Sequence, residues 1–251
     1  MPRFGSREIS NVVIKEIATK KPVLYLESLT VSSMEQTAEA VYARGGRGNP
    51  KRIMWEADKE VMYNMTDALI QPESLAMLLG TDIVNDEAKP VHKKEFLVVG
   101  ENGTVDLAHT PSANTDIFVF ETTLGYDIGA ELELTTGYTI VGDTITFVSL
   151  TEGDRVIVDY YYDAPVQTMT VEVDKFAGYY YIEAQSLWRR ESDGVDLPAY
   201  YIMPRVKFSS NFSIENAAAG DPATFDFNVE CFPDEFNRQV IIDVVQDTEE
   251  E

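Results

Sequence analysis

The chain has 251 residues, with 43 Asp and Glu against 20 Lys and Arg, giving a formal charge of −23 at neutral pH. That length suffices for one large β domain or two smaller ones with a sizeable core, and so negative a charge disfavours a protein built to grip a nucleic-acid phosphate backbone. One cysteine, Cys231, excludes an internal disulfide and a cysteine-rich zinc site; no apolar run approaches a membrane span, and MPRFGSREIS lacks the apolar stretch of a secretory signal, so synthesis into a cytoplasm is expected.

In chain order, strands dominate. Residues 12–17 and 23–29 form a hairpin-like pair around the polar ATKKP. Residues 53–65, IMWEADKEVMYNM, alternate with a period of two, placing Glu56, Asp58 and Glu60 on one strand face and Trp55, Ala57, Val61 and Tyr63 on the other. Extended, such a run spans about 40 Å, and three neighbouring carboxylates repel unless water screens them. The acidic face is either an ordinary solvated sheet face or the wall of an acidic channel. DALIQPESLAMLLG then predicts the one clear helix, with Pro72 in its first turn, Leu75, Leu78 and Leu79 as an apolar stripe and Gly80 as the stop.

From residue 104 to 164 the strands are short (117–121, 138–141, 144–147 and 155–162), separated by turns such as VGDT and TEGD, as in a small β-sandwich inserted into a main domain. Longer strands resume at 167–173, 178–188, 200–214 and 224–231, and QDTEEE closes the chain as a charge run expected to be disordered. Charge is segregated: residues 1–60 hold half of all Lys and Arg, whereas from Glu101 to Asp174 Arg155 alone offsets the carboxylates.

Catalytic signatures are missing. His92 and His109 lie in polar, loop-like stretches far apart in sequence, and GxSxG, HExxH and GxGxxG are absent. Glu152/Asp154 and Asp193/Asp196 sit in turn contexts, where Asp is favoured for bonding its own backbone. No catalytic residue, metal ligand set or cofactor is therefore expected. Cys231 shares a face with Phe225, Phe227 and Val229 and reads as core. Two aromatic clusters, Tyr160–Tyr162 and Tyr179–Tyr181 with Trp188, either pack sheets or stack on sugars. The stretch ARGGRGNPKR resembles a phosphate loop, yet it lacks the GK[ST] ending and precedes a strand. Arg44, Arg47, Lys51 and Arg52 are better read as a basic loop that meets another copy of the same acidic protein.

The run from PVLYLESLT through RGGRGNPKRIMWEADKEV to PESLAMLLG resembles the N-terminal half of tail tube proteins of long-tailed bacteriophages, and AYYIMPRVKFSSNFSIENAAAGDPATFDFNVECFP resembles their closing strands. This resemblance implies a mainly β fold of two packed antiparallel sheets with one short flanking helix. It also implies assembly as six-fold rings whose inner strands join into one barrel, with rings stacked into a tube. The block 104–164 departs from the minimal pattern and looks like an inserted immunoglobulin-like module, which leaves open whether a contractile sheath wraps the exterior. The expected divisions are 1–103, 104–164, 165–245 and the tail 246–251.

On this reading the protein is a structural component of the virion tail, assembled in the host cytoplasm, and not an enzyme. Glu56, Asp58 and Glu60 line the lumen, joined by Asp226 and Glu230, which share the polar face of residues 224–231 with Asn228. DNA passes through without specific binding, because an acidic wall repels phosphates that a basic wall would hold. Partners are further copies, a terminator, a baseplate or tip, and a sheath where the tail contracts. The alternatives are a capsid decoration or other head protein and a carbohydrate-binding or hydrolytic virion component.

Overall fold

The computed structural model describes residues 3–209 and 224–246, with 211, 214 and 218 between them. The described residues are mainly β, with one short helix. In chain order the elements are β1 (Phe4–Ser6), β2 (Asn11–Glu16), β3 (Pro22–Leu26), β4 (Leu29–Arg44), β5 (Lys51–Asp67), α1 (Pro72–Leu79), β6 (Val84–Val98), β7 (Thr104–Asp106), β8 (Phe118–Glu121) and β9 (Glu131–Leu132). There follow β10 (Tyr138–Val141), β11 (Thr144–Phe147), β12 (Arg155–Thr168), β13 (Tyr179–Arg190), β14 (Asp196–Phe208), β15 (Phe225–Cys231) and β16 (Ile241–Val244). The chain divides into two compact units, one of residues 1–83 and 169–251 and the other of 84–168. Residues 104–164 thus lie inside a unit that also takes in β6.

The first unit is built on one antiparallel sheet in the order β3-β2-β13-β14-β15-β5-β4, with β1 added to β13 and β16 to β14. The ladders run unbroken along this path, so the two packed sheets expected from sequence are joined into one. Residues from both ends of the path, Leu24 and Leu26 on β3 and Val61, Tyr63 and Met65 on β5, belong to a single apolar core with Ile182, Met203, Val206, Phe225, Phe227 and Val229. A hydrogen bond from the Ser10 amide to Ser32 Oγ, 3.1 Å, ties the β2 end to the β4 end. The sheet is therefore coiled around its core, as the twist of long antiparallel sheets favours.

Helix α1 follows the sequence signals closely. Pro72 enters at the start, and Gly80 ends the helix in the left-handed region at φ 66°, its amide turned back to the Ala76 and Met77 carbonyls. A side chain at Gly80 would collide with the Phe176 carbonyl. Leu78 is buried and Leu75 and Met77 pack on the core, so the buried stripe is centred one turn earlier than Leu79.

In the second unit a four-stranded sheet, β6-β12-β8-β9, and a three-stranded sheet, β10-β11-β7, contribute to one core of Val105, Val119, Tyr138, Ile145, Phe147, Val156, Val158 and Tyr160. The strands expected at 138–141 and 144–147 form with those bounds. The strand expected at 167–173 does not form: β12 ends at Thr168 and the chain runs without strand to Gly178, leaving Val171 and Val173 76% and 99% exposed. Their alternation is not matched by any sheet edge that takes the segment up. Part of the expected 200–214 strand and residues 247–251 of the tail lie outside the described residues.

Candidate functional site

In an antiparallel pair, directly opposed residues put their side chains on the same face, so register fixes which residues share the polar side of the first sheet. Asp226, Asn228 and Glu230 on β15 oppose Thr66, Asn64 and Met62 on β5, and these oppose Val31, Ser33 and Glu35 on β4, with Glu60 opposite Thr37 next in line. Thr66 Oγ1 donates to Asp226 Oδ1 at 2.8 Å across this face. Glu35, Glu60, Asp226 and Glu230 are exposed, while Phe225, Phe227, Val229 and Cys231 on the reverse face are buried. Two of the proposed carboxylates of β15 thus lie on the same side as Glu60.

Glu56, Asp58 and Glu60 do not share a face. Asp58 adopts φ 49°, and the β4 register moves by two residues (Thr37 to Glu39) while β5 moves by three (Glu60 to Ala57). This is a β-bulge, with one extra residue on β5 and a left-handed residue that Asp tolerates better than most. Beyond it, Ala57 and its partner Glu39 continue the polar face, whereas Glu56, opposite Ala40, turns to the side of Val61 and Tyr63. The Lys59 carbonyl beside the bulge accepts from Gln239 Nε2 at 3.3 Å. Strict alternation in sequence concealed the insertion, and it also concealed Glu35 and Glu39, which cross-strand pairing brings onto the acidic face.

The face is acidic but not uniformly so. Glu230 opposes Lys207, and toward β13 the cations are held locally: Lys15 Nζ lies 2.6 Å from Glu183, Lys20 sits over Tyr181 at 3.4 Å, and Arg205 over Tyr179 at 4.4 Å. Burial lowers the Lys20 pKa. By contrast, none of Glu35, Glu39, Glu60, Asp226 and Glu230 has an ion-pair partner among the described residues.

Past Val61 no third strand joins β4 and β5 among the described residues, since β15 pairs only with residues 61–67. The two strands continue as a free ribbon, and every residue of β5 from Lys51 to Glu60 is exposed. Val41, Ile53, Met54 and Trp55 are 51–60% exposed on it. At its tip Gly46 and Gly48 take φ values of 91° and 87°, the Asn49 amide donates to the Gly46 carbonyl at 3.0 Å, and Arg52 Nε donates to the Gly45 carbonyl at 3.2 Å. Arg44 and Lys51 lie over the Tyr42 ring at 5.8 and 3.6 Å. Arg44, Arg47, Lys51 and Arg52 are thus gathered at the end of an arm, with no carboxylate bound to any of them among the described residues.

The other candidates resolve into structural parts. His92 lies on β6 and not in a loop, its Nε2 2.9 Å from Asp159 Oδ1 and its ring edge-on to Tyr161; His109 stacks on Tyr162 at 3.9 Å. Asp154 caps a turn through the Thr151 amide, and Asp193 and Asp196 pair with Arg190 and Arg189. These arginine contacts hold both carboxyls below the usual range. Tyr160 is buried and donates to Glu95 at 2.5 Å, Trp188 donates to Tyr201 at 3.2 Å, and Tyr161 and Tyr179 are about two-fifths exposed. Cys231 is buried, and burial pushes its thiol up to about 12. Among the described residues no group of His, Cys, Asp or Glu is placed to hold a metal, and no helix is long and apolar enough to cross a membrane.

Residues 5–244, which include both runs on which the sequence resembles tail tube proteins, match the YomU/Tube protein family. The chain belongs to this family. Over 220 residues it is 24% identical to the Tail tube protein of Bacillus phage SPR, covering 86% of this chain and 80% of that protein. Over 167 residues it is 26% identical to the SPbeta prophage-derived uncharacterized protein YomU of Bacillus subtilis (strain 168), covering 66% of this chain. The chain matches 58% of that protein's length. Family and relatives bear out the resemblance to phage tail tube proteins.

Proposed function

We propose that this YomU/Tube family member is a structural protein of a phage tail whose copies close into rings, six to a ring, and stack as a tube through which the genome is delivered. The observation that carries this reading is the first sheet: one face is core, the other presents Glu35, Glu39, Glu60, Asp226 and Glu230, and its edge strand β4 pairs among the described residues with β5 alone. An exposed edge of this length invites pairing with another chain, and cyclic closure satisfies it. With the polar face turned inward, the lumen carries five unpaired carboxylates per copy on β4, β5 and β15. Duplex DNA carries one charge per about 1.7 Å of axis, so such a wall repels it and lets it slide. Glu56 falls on the opposite face, and Asp58 serves as the bulge.

The family match and the tail tube relative support the virion-tail location, with rings binding one another and other tail proteins at the ends. The second unit, two small sheets over one core, fits an immunoglobulin-like β-sandwich on the ring exterior. An image reconstruction of tubes assembled from purified protein tests the whole arrangement. It is expected to show six-fold rings, Glu60, Asp226 and Glu230 facing the lumen, and residues 84–168 outside. The triple change Glu60→Lys, Asp226→Lys and Glu230→Lys should leave tubes intact and slow or arrest genome ejection. Carboxylates on the outer surface, or ejection at the parental rate, would overturn the lumen assignment.

A further inference from the structure

The connection between β8 and β9 is a small folded loop held by one carboxylate. Asp127 accepts hydrogen bonds from Thr122 Oγ1 at 2.5 Å, Thr123 Oγ1 at 2.6 Å, the Thr123 amide at 3.0 Å and the Leu124 amide at 2.7 Å. Thr122 Oγ1 in turn accepts from the Gly125 amide at 2.9 Å, and Arg155 Nη1 donates to the Thr123 carbonyl at 2.8 Å. Gly125, at φ 86°, lies against the face of Phe96, where a Cβ would come within 3.1 Å of the ring. The donors, Thr122 foremost, hold the Asp127 carboxyl far below its ordinary value.

This fixed loop holds its apolar side chains out to solvent. Leu124, Tyr126 and Ile128 are 60%, 75% and 73% exposed. A loop already held by this set of hydrogen bonds has less ordering cost to meet on docking, and exposed aromatic groups such as Tyr126 are common anchors of an interface. Its surroundings are predominantly acidic: Arg155 touches the loop, but between Glu101 and Asp154 there are ten carboxylates and no Lys or Arg, among them Glu121, Glu131 and Glu133 flanking the loop in sequence.

The complementary surface is the β4–β5 arm. Between Glu39 and Glu56 the arm carries Arg44, Arg47, Lys51 and Arg52 and no acid, with Val41, Ile53 and Trp55 exposed alongside. We propose that the loop of residues 122–128 is the docking site for the arm of a second copy of this chain, apolar groups meeting at the centre and the arm's cations meeting Glu121, Glu131 and Glu133 at the rim. This rests on the reading of the arm as an assembly element and names the surface that receives it.

The test joins two differently sized copies of the full chain, one carrying Arg47→Cys and the other Tyr126→Cys. The native Cys231 is buried and its thiol stays protonated, so it does not compete. Under oxidising conditions during assembly, a disulfide between the two sizes is expected. In parallel, Arg44, Arg47, Lys51 and Arg52→Glu should abolish tube formation, and adding Glu121→Lys, Glu131→Lys and Glu133→Lys should restore it. If arm reversal blocks assembly but neither cross-link nor rescue is found, the loop is not the receptor while the arm's role stands. If arm reversal leaves assembly unchanged, the arm reading itself fails and the docking with it.

Discussion

The two halves of β5 belong to one strand and meet opposite fates. From Val61 to Asp67 the burial alternates regularly, with Val61, Tyr63, Met65 and Asp67 buried; from Lys51 to Glu60 every residue is exposed, Ile53, Met54 and Trp55 included. The inner half lies between two strands, β4 and β15, and its apolar face meets the core; the outer half has β4 alone. Apolar residues in a strand therefore do not by themselves say whether the surface is covered within the chain. A two-stranded ribbon is marginal by itself in water, and the bulge at Asp58 stands at the boundary between the two halves.

Removing the anchor of the inner half should have the largest effect on the isolated chain. Phe227 on β15 opposes Met65, is 1% exposed, and packs against Phe225 and Phe208 with ring centroids 4.9 and 6.4 Å away. Phe227→Ala should cost about 3–5 kcal/mol in a denaturant titration of unassembled protein. A loss below about 1 kcal/mol would mean that β15 does not hold the inner half in place, and the comparison would collapse.

How much of this was legible in the sequence follows from the same contrast. The buried face of β15, the helix with its Pro72 and Gly80 punctuation, and the short strands of the second unit were readable because apolar period and turn chemistry agreed. β4 was not: LTVSSMEQTAEAVYAR has no clear alternation, since most of it is exposed on both sides. Within β6 the stretch KPVHKKE reads as loop-like because it is so polar, although β6 pairs with β12 along almost its whole length and none of its residues is fully buried. Of the candidate site, the carboxylates of β15 and Glu60 come onto one face as pattern suggested, but a bulge is a single inserted residue, and composition carries no mark of it. Glu35 and Glu39 required the register of a strand that sequence had not revealed.

The bulge provides a smaller and more local effect. Asp58 tolerates φ 49°, whereas a β-branched residue there strains the backbone. Asp58→Val should open the outer ribbon by about 1 kcal/mol, a roughly fivefold rise in amide exchange over residues 38–60. Protection at Tyr63 and Met65 should not change, and Asp58→Gly should stay near the parent. If Asp58→Val instead destabilises both halves together, the strand is one cooperative unit and the boundary drawn here is wrong.

Trp55 gives the smallest effect on the free chain and the sharpest contrast with Phe227. It is 54% exposed in the outer half, opposite Val41, itself 60% exposed. Trp55→Ala should therefore shift the stability of unassembled protein by no more than about 0.5 kcal/mol, as for a surface residue. In assembly the order should reverse. An aromatic group that becomes covered by a neighbour is the kind of side chain whose truncation costs about 2 kcal/mol or more of binding, and that loss is repeated at every copy of a ring. Sedimentation of tubes against protein concentration should show Trp55→Ala assembling only at markedly higher concentration than the parent. Equal assembly curves would mean that the arm's apolar face stays in water, and that the outer half of β5 is exposed for some reason other than a waiting partner.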